Sequence, residues 1–125
     1  LGGMHALSHP IGAQFDTHHG MTNAVVMPYV LEANRRAIEP TIAQLAAYCA
    51  IDGGFDGFLD HILATRAAMD VPHTLVDLGV DPEAVDSITA AAIDDPSAGG
   101  NPITFDRPFA EAVFIAATEG TLHAA

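Results

Sequence analysis

The sequence predicts an all-α fold, a helical bundle-like domain. Apolar residues recur at helical spacing along most of its 125 residues, and no run alternates apolar and polar with the period of a strand. Prolines, glycines and Asp or Asn residues punctuate these stretches where helices would start or stop. The length is one domain's worth of chain, large enough for a core but too short for a two-domain enzyme.

The first helix is expected over Gly3 to Ser8, where Met4, Ala6 and Leu7 favour it, and to end at His9 because Pro10 disfavours helical geometry there. A loop from Ile11 to Thr17 follows, with Gly12 permitting a reversal. Gly20 to Asn34 reads as a helix through Val25, Val26, Tyr29, Val30 and Ala33. Pro28 should kink it or replace one backbone bond with another partner. Arg35 and Arg36 follow at its carboxyl end, placed to pair with nearby acids.

Pro40 is expected to open the next helix, to about Ile51, with Cys49 on its apolar side as a buried small hydrophobe. Asp52-Gly53-Gly54 breaks it. Phe55 to about Asp70 carries an apolar stripe of Phe58, Leu59, Ile62 and Leu63, with His61 off the stripe and solvated. Val71 to Val80 is a linker whose Leu75 and Leu78 should tuck into the core. Asp81-Pro82-Glu83 is a cap, a proline and an acid that start a helix running to about Asp94. Pro96 to Pro102 is a loop, Phe109 to Thr118 a closing helix, and Gly120 to Ala125 a fraying tail.

Charge and cysteine content narrow the function. Four arginines and no lysine stand against sixteen acids, for a net charge of −12. Such a surface repels phosphate backbones and anionic lipid, so neither nucleic acid nor membrane is expected as a partner. No apolar run approaches the roughly 18 to 20 residues that span a bilayer. The single cysteine excludes an intramolecular disulfide and fits a cytoplasmic setting. The opening Leu1-Gly2-Gly3 has neither initiator methionine nor helix cap, and half of the residues are hydrophobic, so the chain is expected to belong to something longer with a partner surface.

The functional signal is a cluster of histidines. His5, His9, His18 and His19 fall within fifteen positions. His5 and His9, four apart, share one face of a helix with their rings about 6 Å apart, which suits two ligands on one metal. The following loop can bring His18 or His19 back toward them. Imidazole nitrogen suits zinc, iron, copper and nickel alike.

The segment Gly2 to Asn34 resembles the signature of the iron-containing (group III) alcohol dehydrogenases, roughly G-x-x-H-x-x-x-H-P-x-G-(x)6-H-G-x-x-N-A-x-x-x-P-x-V-x-x-x-N. Gly2, His5, His9, Pro10, Gly12, His19, Gly20, Asn23, Ala24, Pro28, Val30 and Asn34 carry the match. Pro72 to Val80 is similar to the family's P-x-T-L-x-x-L-G-V passage, and Asp95 to Pro102 to its D-P-x-x-x-x-N-P loop. Two positions depart from the pattern: His18 stands where proline is common, and Tyr29 where histidine is common.

The resemblance implies that His5 and His19 are metal ligands and that His9, beside the metal, serves proton transfer or substrate positioning. It implies a divalent metal, Fe(II) first and Zn(II) second, whose other ligands lie upstream of this segment. It makes residues 1–125 the partial C-terminal helical metal-binding domain of a two-domain dehydrogenase. The N-terminal nucleotide-binding domain, which would hold NAD or NADP, is absent from this chain. The substrate would be a small alcohol or aldehyde, and a homo-oligomer is compatible with the sequence. The chain alone is then expected to be inactive.

Two other readings come from different classes. One is a metal-dependent hydrolase, with Asp16 the one carboxylate placed to act as general base. The other is a non-catalytic helical metal-binding or interaction domain.

Overall fold

Six α-helices and three short 3-10 turns make up the computed structural model, which describes residues 2–122 and contains no strand among them. The helices are α1 (Gly3–Phe15), α2 (His19–Ala33), α3 (Arg35–Tyr48), α4 (Gly54–Ala68), α5 (Val85–Ile93) and α6 (Arg107–Glu119). The all-α expectation holds.

α1 packs on α2, on α5 and on the turn Pro96–Gly100, while α2 also meets α4 and α6. Leu7 and Ile11 of α1, Val25 and Val26 of α2, Ile88 of α5, and Val113 and Phe114 of α6 fill the centre, all at most 1% exposed. Each such side chain contributes on the order of 1.5–3 kcal/mol by leaving water. Leu75 of the linker joins them, fully buried, and its N–H donates to Ala117 O at 3.0 Å.

The first helix does not stop at Pro10. It runs through that proline to Phe15, and the chain reverses at Asp16–His18 instead of over Ile11 to Thr17. Ala6, Leu7, Pro10 and Ile11 all face the core. Burying Pro10 and Ile11 offsets the roughly 3 kcal/mol that an interior proline costs. Gly12 is helical, so the reversal falls to Asp16, which closes α1 in the left-handed conformation at φ 54°. Local rules placed the break at the proline; tertiary burial moved it.

A second boundary shifts for an electrostatic reason. α3 begins at Arg35, ahead of Pro40, because Arg35 pairs with Glu39 one turn on (2.7 Å) and with Asp56 of α4 (2.8 Å), and stacks over the Phe55 ring at 4.5 Å. Pro40 leaves the carbonyl of Arg36 without its helical donor, and that residue is exposed. α3 buries only Ala46. Cys49, expected inside, ends the helix exposed with a free thiol.

Asp81 accepts from the Glu83 N–H at 2.9 Å and starts the 3-10 turn that feeds α5, as its sequence indicates. Asp106 caps α6 by accepting from the Phe109 N–H at 3.0 Å, which brings that helix forward to Arg107. Gly120 ends α6 at φ 77°. The expected fraying at 123–125 lies outside the described residues.

Candidate metal centre

α1 presents His5 and His9 one turn apart, with ring centroids separated by 5.9 Å. The reversal at Asp16–His18 then brings His19, the first residue of α2, against both: its ring lies 5.6 Å from each, and stacks on His9 with an interplanar angle of 16°. Thr22 fixes this reversal from inside α2, its hydroxyl donating to His18 O (2.9 Å) and lying 2.7 Å from Thr17 Oγ1. Three imidazoles from two helices thus form a near-equilateral cluster.

His18 is used otherwise. Its Nδ1 accepts from the Met21 N–H at 3.3 Å and caps α2. The sequence leaves His18 and His19 as alternatives, and the fold brings only His19 to the cluster. Asp16 terminates α1 and does not enter it.

The carboxylate that reaches the histidines is Asp95, whose Oδ2 lies 2.8 Å from His9 Nδ1. The Asp95 side chain is 13% exposed, against 43% for His9. Burial pushes the Asp95 carboxyl up, but the Ser97 backbone N–H and the His9 ring outweigh it, and the group titrates below its ordinary value. Its second oxygen accepts from the Ser97 N–H at 2.8 Å. Asp95 therefore presents an anion that fixes the orientation of His9.

Around it, the turn Pro96–Gly100 and its neighbour Asn101 hold the start of α1. Gly2 N–H donates to Ser97 O (2.8 Å) and Gly3 N–H to Asn101 Oδ1 (3.2 Å). Asn101 also exchanges amide hydrogen bonds with the buried Asn34, at 2.9 and 2.8 Å, tying this turn to the junction of α2 and α3. There is no room for a side chain at Gly3, where a Cβ would lie 2.9 Å from the Phe105 ring.

The donor set fits a metal in part. His5 Nδ1 is buried with no hydrogen-bond partner among the described residues, and so is Asn23 Oδ1. An orphaned buried polar atom costs about 1–3 kcal/mol, so an orphaned imidazole nitrogen is suited to a ligand. Desolvation, then the neighbouring His19 and His9, push the His5 pKa down, with Asp95 opposing, which favours the neutral form a metal would need. The Asn23 side-chain amide lies 3.1 Å from His19 Nε2 and restrains that ring. Among the described residues, however, no three His, Cys, Asp or Glu side chains are disposed to hold a metal ion. His5 and His19 alone would make up only part of a ligand set.

Sequence reading missed Asp95 and Asn23 as neighbours of the site. The Asp-Pro pattern at Asp95 marks a helix cap, and nothing in its local sequence says which histidine it meets.

A profile of the Fe-containing alcohol dehydrogenase family, C-terminal part, matches residues 1–118. The chain belongs to this family. It is 29% identical over 109 residues to lactaldehyde reductase of Escherichia coli K12, covering 82% of this chain and 28% of that protein. It is 31% identical over 103 residues to long-chain-alcohol dehydrogenase 1 of Geobacillus thermodenitrificans, covering 74% of this chain and 25% of the relative. A crystal structure of 1,3-propanediol oxidoreductase superposes with a TM-score of 0.87 at 28% identity, over 94% of this chain and 32% of that one.

The family member described here thus spans about a quarter to a third of the length of these relatives. It is the helical C-terminal domain of an iron-containing alcohol dehydrogenase family protein. No helix among its described residues is long and apolar enough to cross a membrane.

Proposed function

We propose that this chain is the metal-and-proton half of an NAD(P)-dependent alcohol dehydrogenase that moves a hydride between a small alcohol and a nicotinamide. His5 and His19 are the ligands it contributes to a divalent metal, Fe(II) before Zn(II), and His9 is the proton carrier. An N-terminal nucleotide-binding domain outside these residues completes the ligand set and binds NAD or NADP. Residues 1–125 are the helical domain of that protein, and a cytoplasmic location fits the single exposed thiol of Cys49.

The observation that carries this reading is the cluster itself: three imidazoles within 5.9 Å, one of them oriented by a carboxylate. A divalent metal bound there supplies Lewis acidity that lowers the pKa of an alcohol hydroxyl. The chain's own residues do the rest. His5 and His19 offer neutral ring nitrogens from two helices, held in place by the loop that Thr22 fixes and by Asn23. His9 gives Nδ1 to Asp95, which leaves Nε2 to take the hydroxyl proton as the alcohol is oxidised and to return it in the reverse direction. The ring is exposed enough to pass that proton to water.

The hydrolase reading needs a general-base carboxylate near the metal, and it leaned on Asp16, which the fold assigns to the end of α1. The deciding experiment is alcohol-dependent reduction of NAD or NADP by the full-length protein with simple alcohols and diols. Turnover that disappears on chelation and returns with Fe(II) supports the proposal. Hydrolytic turnover without cofactor reduction refutes it.

A further inference from the structure

We propose that His73 is a pH-operated latch between the end of α6 and the buried Arg66 of α4, closed while its imidazole is neutral and released on protonation. The argument starts at Pro28. Lacking an N–H, it leaves the carbonyl of Ala24 in α2 without its helical donor. Arg66 reaches across from α4, and its Nη1 donates to Val25 O at 2.8 Å and Ala24 O at 3.3 Å. Arg66 is 5% exposed, and among the described residues no carboxylate pairs with it. Its Nη2 lies 2.8 Å from His73 Nδ1.

Hydrogen-bond chemistry then selects one tautomer. A guanidinium only donates and a backbone carbonyl only accepts. His73 Nδ1 is therefore bare, and Nε2 carries the hydrogen that it donates to Gly120 O at 3.0 Å. The ring bridges α4 to the end of α6. Tyr29 of α2 holds the same residue from a third side, its hydroxyl donating to His73 O at 2.6 Å and lying 3.3 Å from Nε2.

Protonation places an N–H on Nδ1 facing the guanidinium, so that two donors and two positive charges meet at the same contact. Among the described residues, the groups that hydrogen-bond His73 are Arg66 from α4, Tyr29 from α2 and the Gly120 carbonyl from the end of α6, and none of them is an acid. The side chain is reached by solvent. Swinging outward, it withdraws Nε2–H from Gly120 as well.

Gly120 is shaped for the closed state. It holds φ 77°, and a Cβ there would lie 2.9 Å from both His73 Cδ2 and Thr74 Cγ2. Thr121 and Leu122, next along the chain, border a groove of about 240 Å³ with Tyr29, Val113 and Ala116. Release of Gly120 frees the segment that borders this groove.

Long-range proton–nitrogen NMR of the histidine rings in the full chain, titrated from about pH 8 to about pH 5, tests the latch. The expected result is the Nε2–H tautomer of His73 at the alkaline end, with the amide resonances of Leu75, Gly120 and Thr121 shifting along the His73 titration curve. Exposed His61 should titrate without moving them. His73→Asn, which keeps an oxygen acceptor toward Arg66 at every pH, should abolish those shifts. An Nδ1–H tautomer, or amides that stay in place while His73 titrates, overturns the proposal. The unsubstituted chain decides it even where His73→Asn fails to fold.

Discussion

Nδ1 of His9 and Oδ2 of Asp95, 86 residues apart in the chain, sit 2.8 Å from each other. The contact joins the helix that carries two of the three clustered histidines to the turn that holds its first residues. It assigns His9 the tautomer with the hydrogen on Nδ1, and Asp95 orients the ring.

On the proposed function, Asp95→Asn should therefore lower kcat of the full-length protein by about 10–100-fold, the usual cost of losing such an orienting partner, with KM changing less. Bound metal, measured by elemental analysis, should remain. Equal loss of metal and of activity would make Asp95 a structural element of the site and not an orienter of His9.

The same residue gives a pH dependence with a definite sign. Asp95 titrates below its unfolded value, so its contribution to stability is present above the ordinary carboxylate pKa and is lost as pH falls through the depressed folded value. His5, also depressed, adds a second loss at higher pH, beginning as pH falls below the unfolded histidine value of 6.5. Thermal melts of the chain across this range should show Tm falling in two stages on acidification. His5→Gln should remove the upper stage only, and Asp95→Asn the lower.

How much of this was legible beforehand depends on how local each feature is. The Asp81-Pro82-Glu83 start, the buried Leu75 and the solvated His61 follow from spacing and composition, and the structure agrees. The histidine cluster was legible too, because four-residue spacing and a short reversal are local facts. Pro10 misled: a rule about isolated backbone geometry lost to the burial of Ile11 beyond it. Cys49 misled in the opposite direction, since an alanine-rich stretch reads as buried although α3 buries only Ala46. Asp95 beside His9, and Arg66 beside the Ala24 carbonyl that Pro28 leaves free, are long-range pairings without any local signal.

Packing makes a separate prediction. Phe114 is 1% exposed at the centre of the core, and Phe114→Ala should cost about 3–5 kcal/mol, read from urea unfolding. Cys49→Ser, on an exposed helix end, should stay within about 0.5 kcal/mol of the parent. A large loss at Cys49 would mean that this helix end is covered in the folded chain.

Asn101→Ala tests the support of the site. It removes the bonds to Gly3 N–H and to Asn34, leaving the buried Asn34 amide unpaired at a cost of about 1–3 kcal/mol. Amide hydrogen exchange at the first turn of α1 should accelerate more than exchange in α6. Uniform acceleration would indicate global destabilisation instead.

The most direct test of the central claim is metal content of the full-length protein, loaded with Fe(II) and dialysed, for His5→Ala, His19→Ala and His18→Ala beside the unsubstituted protein. We expect one metal per chain in the unsubstituted protein and in His18→Ala, and loss of the metal in His5→Ala and His19→Ala. Full metal retention in His5→Ala or His19→Ala, or loss in His18→Ala alone, would contradict the assignment of this cluster as the metal-binding face of the domain.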